Sequence, residues 1–148
     1  MKNDSRAIAG LLDIPEERVK VDRYLYVEEH PDEIKTWKVI SKDDPDLRQY
    51  EGELYYPATS LFELIDITTE LLVKKMLPAM KGLPAMVTTD IRFKKPVRPE
   101  TELLIQVKLL RNYKGRIGIF SGVIADSEGD IVAENISKGT SMSIASKA

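Results

Sequence analysis

The chain has 148 residues, of which 43% are hydrophobic and 31% charged, and its formal net charge is −2. One domain of this length buries a substantial core, and the composition is typical of a soluble globular protein. The sequence contains no cysteine, which excludes disulfides, thiolate metal sites and a cysteine nucleophile. No apolar run approaches the roughly 20 residues of a membrane span, and AIAGLL is too short for a signal-peptide core. We therefore expect a single cytoplasmic domain, residues 1–148, without membrane contacts.

Charge is distributed unevenly along the chain. Residues 1–70 carry 9 Lys or Arg against 17 Asp or Glu, whereas residues 91–116 carry 8 against 2. An acidic protein with one basic segment lacks the overall positive charge of a nucleic-acid-binding domain. The basic segment is instead suited to an acidic partner or to the phosphates of a nucleotide-bearing ligand. The alternative interpretation of this basic segment is a solvated strand face followed by a Lys/Arg-rich turn.

The first third of the chain predicts one short helix and one hairpin. SRAIAGLL favours a helix within an N-terminal helical segment, residues 1–18. VKVDRYLYVEE and IKTWKVIS have strand character, and HPDE between them predicts a hairpin turn. DDPD then begins a polar loop that continues to the next helix.

The spacing of apolar residues predicts a long central helix over residues 60–77. Apolar side chains recur at helical intervals and cover most of the helix circumference, so we expect the helix to be buried on most sides. These side chains are Leu61, Phe62, Leu64, Ile65, Ile67, Leu71, Leu72 and Met76.

Four strand-like runs follow the helix. They are AMVTTDIRFKKPV, ELLIQVKLLR, RIGIFSGVIA and DIVAENISKGTSMSI. The separators RPET, NYKG and DSEGD have turn chemistry, and such short connections favour an antiparallel meander. The order of strand, strand, helix and four strands predicts an α+β fold with one curved antiparallel sheet wrapped around one long central helix.

Two segments resemble the 3-hydroxyacyl-(acyl-carrier-protein) dehydratase family of fatty-acid synthesis. VDR and the hairpin after it resemble the family's first hairpin. IRFKKPVRPETEL is similar to its Arg-Phe-Lys-Arg-Pro-Val-x-Pro-Gly-Asp segment, with Glu100 and Thr101 in place of Gly-Asp. The resemblance implies a hot-dog fold, an acyl thioester of coenzyme A or acyl carrier protein as ligand, no cofactor, and a homodimer or higher homo-oligomer. For a protein that binds such a ligand, we expect the basic segment 91–116 to dock the carrier protein or coenzyme A through Arg92, Lys94, Lys95 and Arg98.

Residues 49–63 are similar to the family motif His-Phe-Pro-Gly-Asn-Pro-Val-Met-Pro-Gly-Val-Leu-x-x-Glu. With Pro57 on the last proline, Glu63 falls on the catalytic acid and Gln49 on the catalytic histidine. Gly52 falls on the glycine whose backbone N–H helps hold the thioester carbonyl. The resemblance therefore implies catalytic positions at Glu63 and Gln49. The candidate substrate-binding residues around them are Gly52, Tyr50, Tyr56, Pro57 and Asp66, although the tyrosines are equally suited to interface packing.

The glutamine at position 49 affects whether dehydration by the family mechanism is expected. Dehydration of a 3-hydroxyacyl thioester needs a base for the C2 proton, a task suited to imidazole. A glutamine amide cannot take up a proton near pH 7, so efficient dehydration by the family mechanism is not expected. A relocated base, such as Glu51 or Glu53, or a His-bearing partner subunit is the remaining route to a dehydratase. His30, the only histidine of the chain, is expected in a solvated turn.

Glu63 also has a purely structural interpretation. SLFE is a Ser-x-x-Glu capping-box pattern, in which Glu63 would bond the backbone at its own helix start. Asp66 and Glu70 lie three and seven residues further on and share its helical face. Three carboxylates on an apolar helix indicate a polar interface or a site, because isolated buried carboxylates are unfavourable.

Two functions from different classes follow from these residues. The first is an acyl-thioester-binding protein that lacks the dehydratase base. The second is a thioesterase in which Glu63 or Asp66 activates water, with Gln49 orienting the water or the carbonyl. No metal site is expected, because the sequence shows no cluster of suitable ligands.

Overall fold

The structure, a computed structural model, describes residues 3–76, 83–114 and 116–142, without the side chains of residues 83–85 and 141–142. Its two α-helices are α1, Ser5–Leu12, and α2, Ala58–Met76, and a short 3₁₀ helix spans Glu16–Arg18. The strands are β1 Arg23–Tyr26, β2 Glu33–Ile40, β3 Arg48–Tyr50, β4 Glu53–Tyr55, β5 Leu83–Phe93, β6 Thr101–Tyr113, β7 Ile117–Ala125 and β8 Ile131–Met142. Within these ranges no helix is both long enough and apolar enough to cross a membrane.

Six strands form one antiparallel sheet in the order β1-β2-β6-β7-β8-β5. The predicted β1–β2 hairpin and the α+β class are confirmed. The predicted four-strand meander is wrong for β5, which pairs with β8 at the sheet edge, while β6 pairs with β2. Residues Leu103, Ile105 and Val107 of β6 are fully buried, which suits a central position, whereas β5 exposes Asp90 and Arg92.

The sheet curves around α2, which is the hot-dog arrangement implied by the resemblance. Leu64, Ile65, Leu71 and Leu72 are fully buried and form the centre of the core. The 3.6-residue spacing of apolar side chains places them on the faces of α2 that the sheet covers. The predicted apolar surface of the helix is therefore confirmed for these four residues.

The start of α2 differs from the prediction by two residues. The helix begins at Ala58, because the carbonyl oxygen of Pro57 accepts the amide hydrogens of Ser60 and Leu61 at 3.0 and 3.1 Å. Ser60 is therefore buried within the first helical turn and cannot act as the N-cap. The capping-box interpretation of Glu63 is accordingly wrong. Residue 77, the predicted end, lies outside the described residues.

The polar loop predicted before α2 contains a second, two-stranded sheet. Strands β3 and β4 pair with Tyr50 opposite Glu53, joined by a two-residue turn. Both turn residues, Glu51 and Gly52, have positive φ, of 49° and 80°. A turn of this kind matches the twist of a hairpin. The sequence did not predict it, because Glu-Gly is a weaker hairpin signal than Asn-Gly or Asp-Gly.

Candidate functional site

The β3–β4 hairpin carries three of the predicted site residues at the surface. Gln49 lies opposite Leu54 in the ladder and is exposed, and Tyr50 is 68% exposed. Gly52 occupies the turn, where its φ of 80° favours glycine. The hairpin therefore leaves Gln49 and Gly52 accessible to a ligand or partner.

A groove of about 630 Å³ separates this hairpin from the loop between β5 and β6. Its lining residues are Lys42, Gly52, Glu53, Leu54, Arg98, Pro99 and Glu100. Lys42 forms an ion pair with Glu100 at 3.1 Å, and Arg98 with Glu53 at 3.2 Å. An anionic group could bind either cation by displacing an exposed carboxylate, which is held weakly because solvent screens it. The sequence did not single out Lys42, which lies in a polar stretch without a motif.

The three predicted helix carboxylates form a row along one side of α2. Glu63 is exposed, whereas Asp66 and Glu70 are half-buried. Burial raises the pKa of Asp66, and the neighbouring Glu63 raises it further. Burial and Asp66 together raise the pKa of Glu70 to about 7, against an opposing effect of Lys74. The row therefore contains one carboxyl group, that of Glu70, that can exchange a proton near neutral pH, as general acid–base catalysis requires.

Tyr56 and Pro57 connect the hairpin to α2. Pro57 is half-buried at the helix start, and Tyr56 is 3% exposed and packs in the core. The backbone N–H of Tyr56 donates to the carbonyl oxygen of Val97 at 2.8 Å. Tyr56 is thus a core residue, in contrast to the exposed Tyr50.

Three of the four predicted docking residues in the basic segment are paired with neighbouring carboxylates. Lys95 contacts Asp126 and Asp130, each at 2.8 Å, and these two hydrogen bonds raise the pKa of Lys95. Lys94 forms an ion pair with Glu134 at 3.3 Å, and Arg98 is paired as described above. Arg92 is exposed and, within the described residues, forms no ion pair. Of the four predicted docking residues, Arg92 is therefore the one without an ion pair in this part of the chain, and Glu134 stands opposite it in the β5–β8 ladder.

Among the residues that the structure describes, two groups of side chains have the spacing of metal ligands. His30 is exposed in the β1–β2 turn, as predicted, and its ligand atoms lie within 4.8 Å of those of Asp32 and Glu33. The carboxylate of Glu33 also lies 3.5 Å from the Lys108 ammonium. The second group, Asp126, Glu128 and Asp130, surrounds the ammonium of Lys95. In the second group the lysine supplies positive charge where a metal ion would.

We expect Glu70→Gln to stabilise the protein at pH 8 and to leave its stability unchanged at pH 4. The unfolded chain releases the Glu70 proton near its ordinary pKa of 4.5, while the folded protein keeps it up to about 7. Across that window the folded state binds more protons, so the free energy of unfolding of the parent protein falls as pH rises. The neutral glutamine amide does not titrate, so it removes this pH-dependent loss in the free energy of unfolding.

Urea denaturation of both proteins between pH 4 and pH 8 measures the effect. Glu17→Gln, at an exposed position of the 3₁₀ helix, is the matched control. A parallel pH dependence for the parent and Glu70→Gln would show that Glu70 titrates normally.

The comparisons with known proteins identify the family and the fold. The chain is 33% identical over 110 residues to the 3-hydroxyacyl-[acyl-carrier-protein] dehydratase FabZ of Thermotoga neapolitana, covering 73% of this chain and 77% of that protein. No protein-family model matches the chain.

Two solved structures show the same fold at low identity. Thioesterase superfamily member 2 from zebrafish has a TM-score of 0.70 at 12% identity, covering 92% of this chain and 94% of that chain. A hypothetical thioesterase from Streptococcus pneumoniae TIGR4, solved with coenzyme A, has a TM-score of 0.68 at 15% identity, covering 86% and 91%. At these identities the likeness concerns the fold. With its sheet wrapped around α2 and its 33% identity to a dehydratase, the chain belongs to the hot-dog family of 3-hydroxyacyl-(acyl-carrier-protein) dehydratases.

Proposed function

We propose that this protein binds acyl thioesters of coenzyme A or acyl carrier protein without catalysing efficient dehydration. The observation that carries the proposal is Gln49 at the position of the motif's histidine. Its side chain is an exposed amide that can donate or accept a hydrogen bond but cannot remove a proton near pH 7. Loss of a general base typically lowers a rate by about 10²–10⁴-fold.

The groove beside the hairpin supports the binding role. It brings together the backbone of Gly52, a donor suited to a thioester carbonyl, and the cations of Lys42 and Arg98. The solved thioesterase from Streptococcus pneumoniae contains coenzyme A in the same fold. Arg92 adds a cation on the neighbouring strand β5 for the phosphates of coenzyme A or for acidic side chains of a carrier protein.

The carboxylate row favours hydrolysis of the thioester as a second function. Glu63 or Asp66 would take a proton from water while the water oxygen attacks the carbonyl carbon. The oxyanion would accept the N–H of Gly52, and the carbon–sulfur bond would then break, with the proton passing to the leaving thiolate. The raised pKa of Asp66 supports this role, because a base of higher pKa accepts the water proton more readily.

Self-association is part of the proposal, as the family resemblance implies. β5 is an edge strand of eleven residues, and its unpaired backbone edge is suited to pairing with another strand. Val87 and Phe93 on this strand are 52% and 46% exposed. A homodimer would cover these apolar side chains.

One assay separates the two functions. Purified protein is mixed with a panel of acyl- and 3-hydroxyacyl-coenzyme A thioesters, while free thiol, enoyl absorbance and the unfolding temperature are followed. We expect ligand-dependent thermal stabilisation with little enoyl formation. Thiol release that disappears in Glu63→Gln or Asp66→Asn, but not in Glu17→Gln, would establish the thioesterase. The absence of stabilisation and of turnover across the panel would contradict both functions.

A further inference from the structure

The loop between β1 and β2 contains the only histidine of the chain within an acidic stretch. Residues 27–33, VEEHPDE, hold four carboxylates and one imidazole and include no lysine or arginine. The ligand atoms of His30, Asp32 and Glu33 lie within 4.8 Å of one another. Negative charge concentrated beside an imidazole favours the binding of a cation in this loop.

A tight turn brings these three side chains together. The backbone N–H of Glu33 donates to the carbonyl oxygen of His30 at 2.9 Å, which closes a four-residue turn with Pro31 at its second position. Proline is favoured there because its fixed φ matches the turn. The carbonyl oxygen of Asp32, at the third position, accepts the N–H of Leu109 on β6 at 2.8 Å. The backbone that carries the three side chains is therefore held in place both by the turn and by the sheet.

The three side chains are able to bind an ion. His30 is exposed, and neither its imidazole nor the Asp32 carboxylate forms a hydrogen bond or ion pair with any described residue. Glu33 is paired with the Lys108 ammonium at 3.5 Å, which is longer than a charge-assisted hydrogen bond of about 2.7–2.9 Å. Because the lysine side chain is 48% exposed, solvent weakens this pair and the Glu33 carboxylate can turn away from it.

The second group with this spacing differs in two respects. Asp126, Glu128 and Asp130 offer no nitrogen ligand. They also surround the Lys95 ammonium, which lies 2.8 Å from both Asp126 and Asp130. Of the two groups, the one in the β1–β2 loop is therefore the one whose ligand atoms a metal ion can reach without displacing a closely bound cation.

We propose that His30, Asp32 and Glu33 bind one Zn²⁺ ion, through one imidazole nitrogen and one oxygen from each carboxylate. Imidazole suits zinc and neighbouring transition metals, whereas magnesium prefers oxygen ligands alone. Ligand atoms about 2.1 Å from a tetrahedral zinc are about 3.4 Å apart, so the three groups would approach one another by about 1.4 Å at most. A fourth position remains for water or an outside ligand. The inference is independent of the thioester site and differs from the expectation of no metal site, which rested on the sequence alone.

The test is a titration of the protein, free of any histidine tag, with ZnCl₂, followed by calorimetry and by the ¹⁵N resonances of the imidazole. Because the chain has one histidine, these resonances report on His30 alone. We expect saturation at one zinc per chain, a shift of the His30 ring nitrogens, and no comparable shift with MgCl₂ at the same concentration. Zinc that binds the folded state should also raise the unfolding temperature.

Two variants each replace one carboxylate ligand by an amide of nearly equal volume, Asp32→Asn and Glu33→Gln. Each should weaken zinc binding at least about tenfold. Glu29→Gln is the matched control, since Glu29 is exposed in the same loop but lies outside the ligand group. It should change the affinity by about twofold or less, because solvent screens an exposed charge. Unfolding temperatures in the presence of a chelator check that every variant is folded.

Several results would overturn the inference. Unchanged zinc affinity in both Asp32→Asn and Glu33→Gln would show that the imidazole binds the ion without the carboxylates. Equal weakening in Glu29→Gln would show a general attraction by negative charge instead of ligation. Saturation at one zinc per two chains would place the ion between molecules. An equal response to magnesium, or no saturable response to zinc, would show that the turn holds no transition-metal site.

Discussion

The substitution Gln49→His is expected to raise the rate of 3-hydroxyacyl-coenzyme A dehydration by about 10²-fold or more. The proposed motif alignment puts residue 49 at the histidine position, and the hairpin exposes its side chain. An imidazole there supplies the base that a glutamine amide cannot provide. The new activity should decline below about pH 6.5, where imidazole becomes protonated. Enoyl absorbance followed from pH 5 to pH 9 measures both effects.

Arg48→His is the control for this gain of activity. Arg48 is exposed on the same strand, but successive side chains of a strand point to opposite faces. The variant Arg48→His should therefore add an imidazole to the hairpin without adding a base at the proposed site. Equal dehydration rates in the two variants would show that position 49 does not reach the C2 proton of the substrate.

The substitution Gly122→Ala is expected to lower the free energy of unfolding by about 1–3 kcal/mol. A Cβ atom at Gly122 would overlap Oδ1 of Asn135 on the neighbouring strand and lie 3.1 Å from Cγ2 of Ile65 on α2. Asn135 is 5% exposed, and its amide donates to Thr89 Oγ1 at 3.1 Å, so its movement would break that hydrogen bond. Urea denaturation at pH 7 measures the loss.

Gly10→Ala provides a control with the opposite sign. Gly10 lies on the exposed side of α1, and a Cβ there meets no atom within 4 Å. Alanine is more favourable than glycine within a helix by about 0.5–1 kcal/mol, so this variant should be stabilised. Equal stability of Gly122→Ala and the parent would show that Asn135 has room to move.

The spacing of residues within short segments of the sequence predicted a large part of the structure. The periodic apolar side chains of α2 predicted a buried helix, and Leu64, Ile65, Leu71 and Leu72 are fully buried. Alternating strand residues and HPDE predicted the β1–β2 hairpin. Both are local patterns, since each depends on residues a few positions apart in the chain.

The candidate site was predictable only in part. The motif alignment identified Gln49, Gly52 and Glu63, and the spacing on the helix placed Glu63, Asp66 and Glu70 on one side. Their roles are still predictions. The raised pKa of Glu70 could not be foreseen, because it depends on burial by elements distant in the sequence.

The sequence by itself determined the fold class and the central helix, and the motif positions it indicates are still predictions. Only the tertiary structure decided that β5 pairs with β8, that residues 48–55 form a hairpin, and that Ser60 lies inside the helix. It also placed the Lys95 ammonium between Asp126 and Asp130, where the charge count alone indicated a docking surface. The physical reason is common to these cases. The way the sheet closes around α2 determines which strands pair and which charged side chains meet. The residues brought together in this way are far apart along the chain.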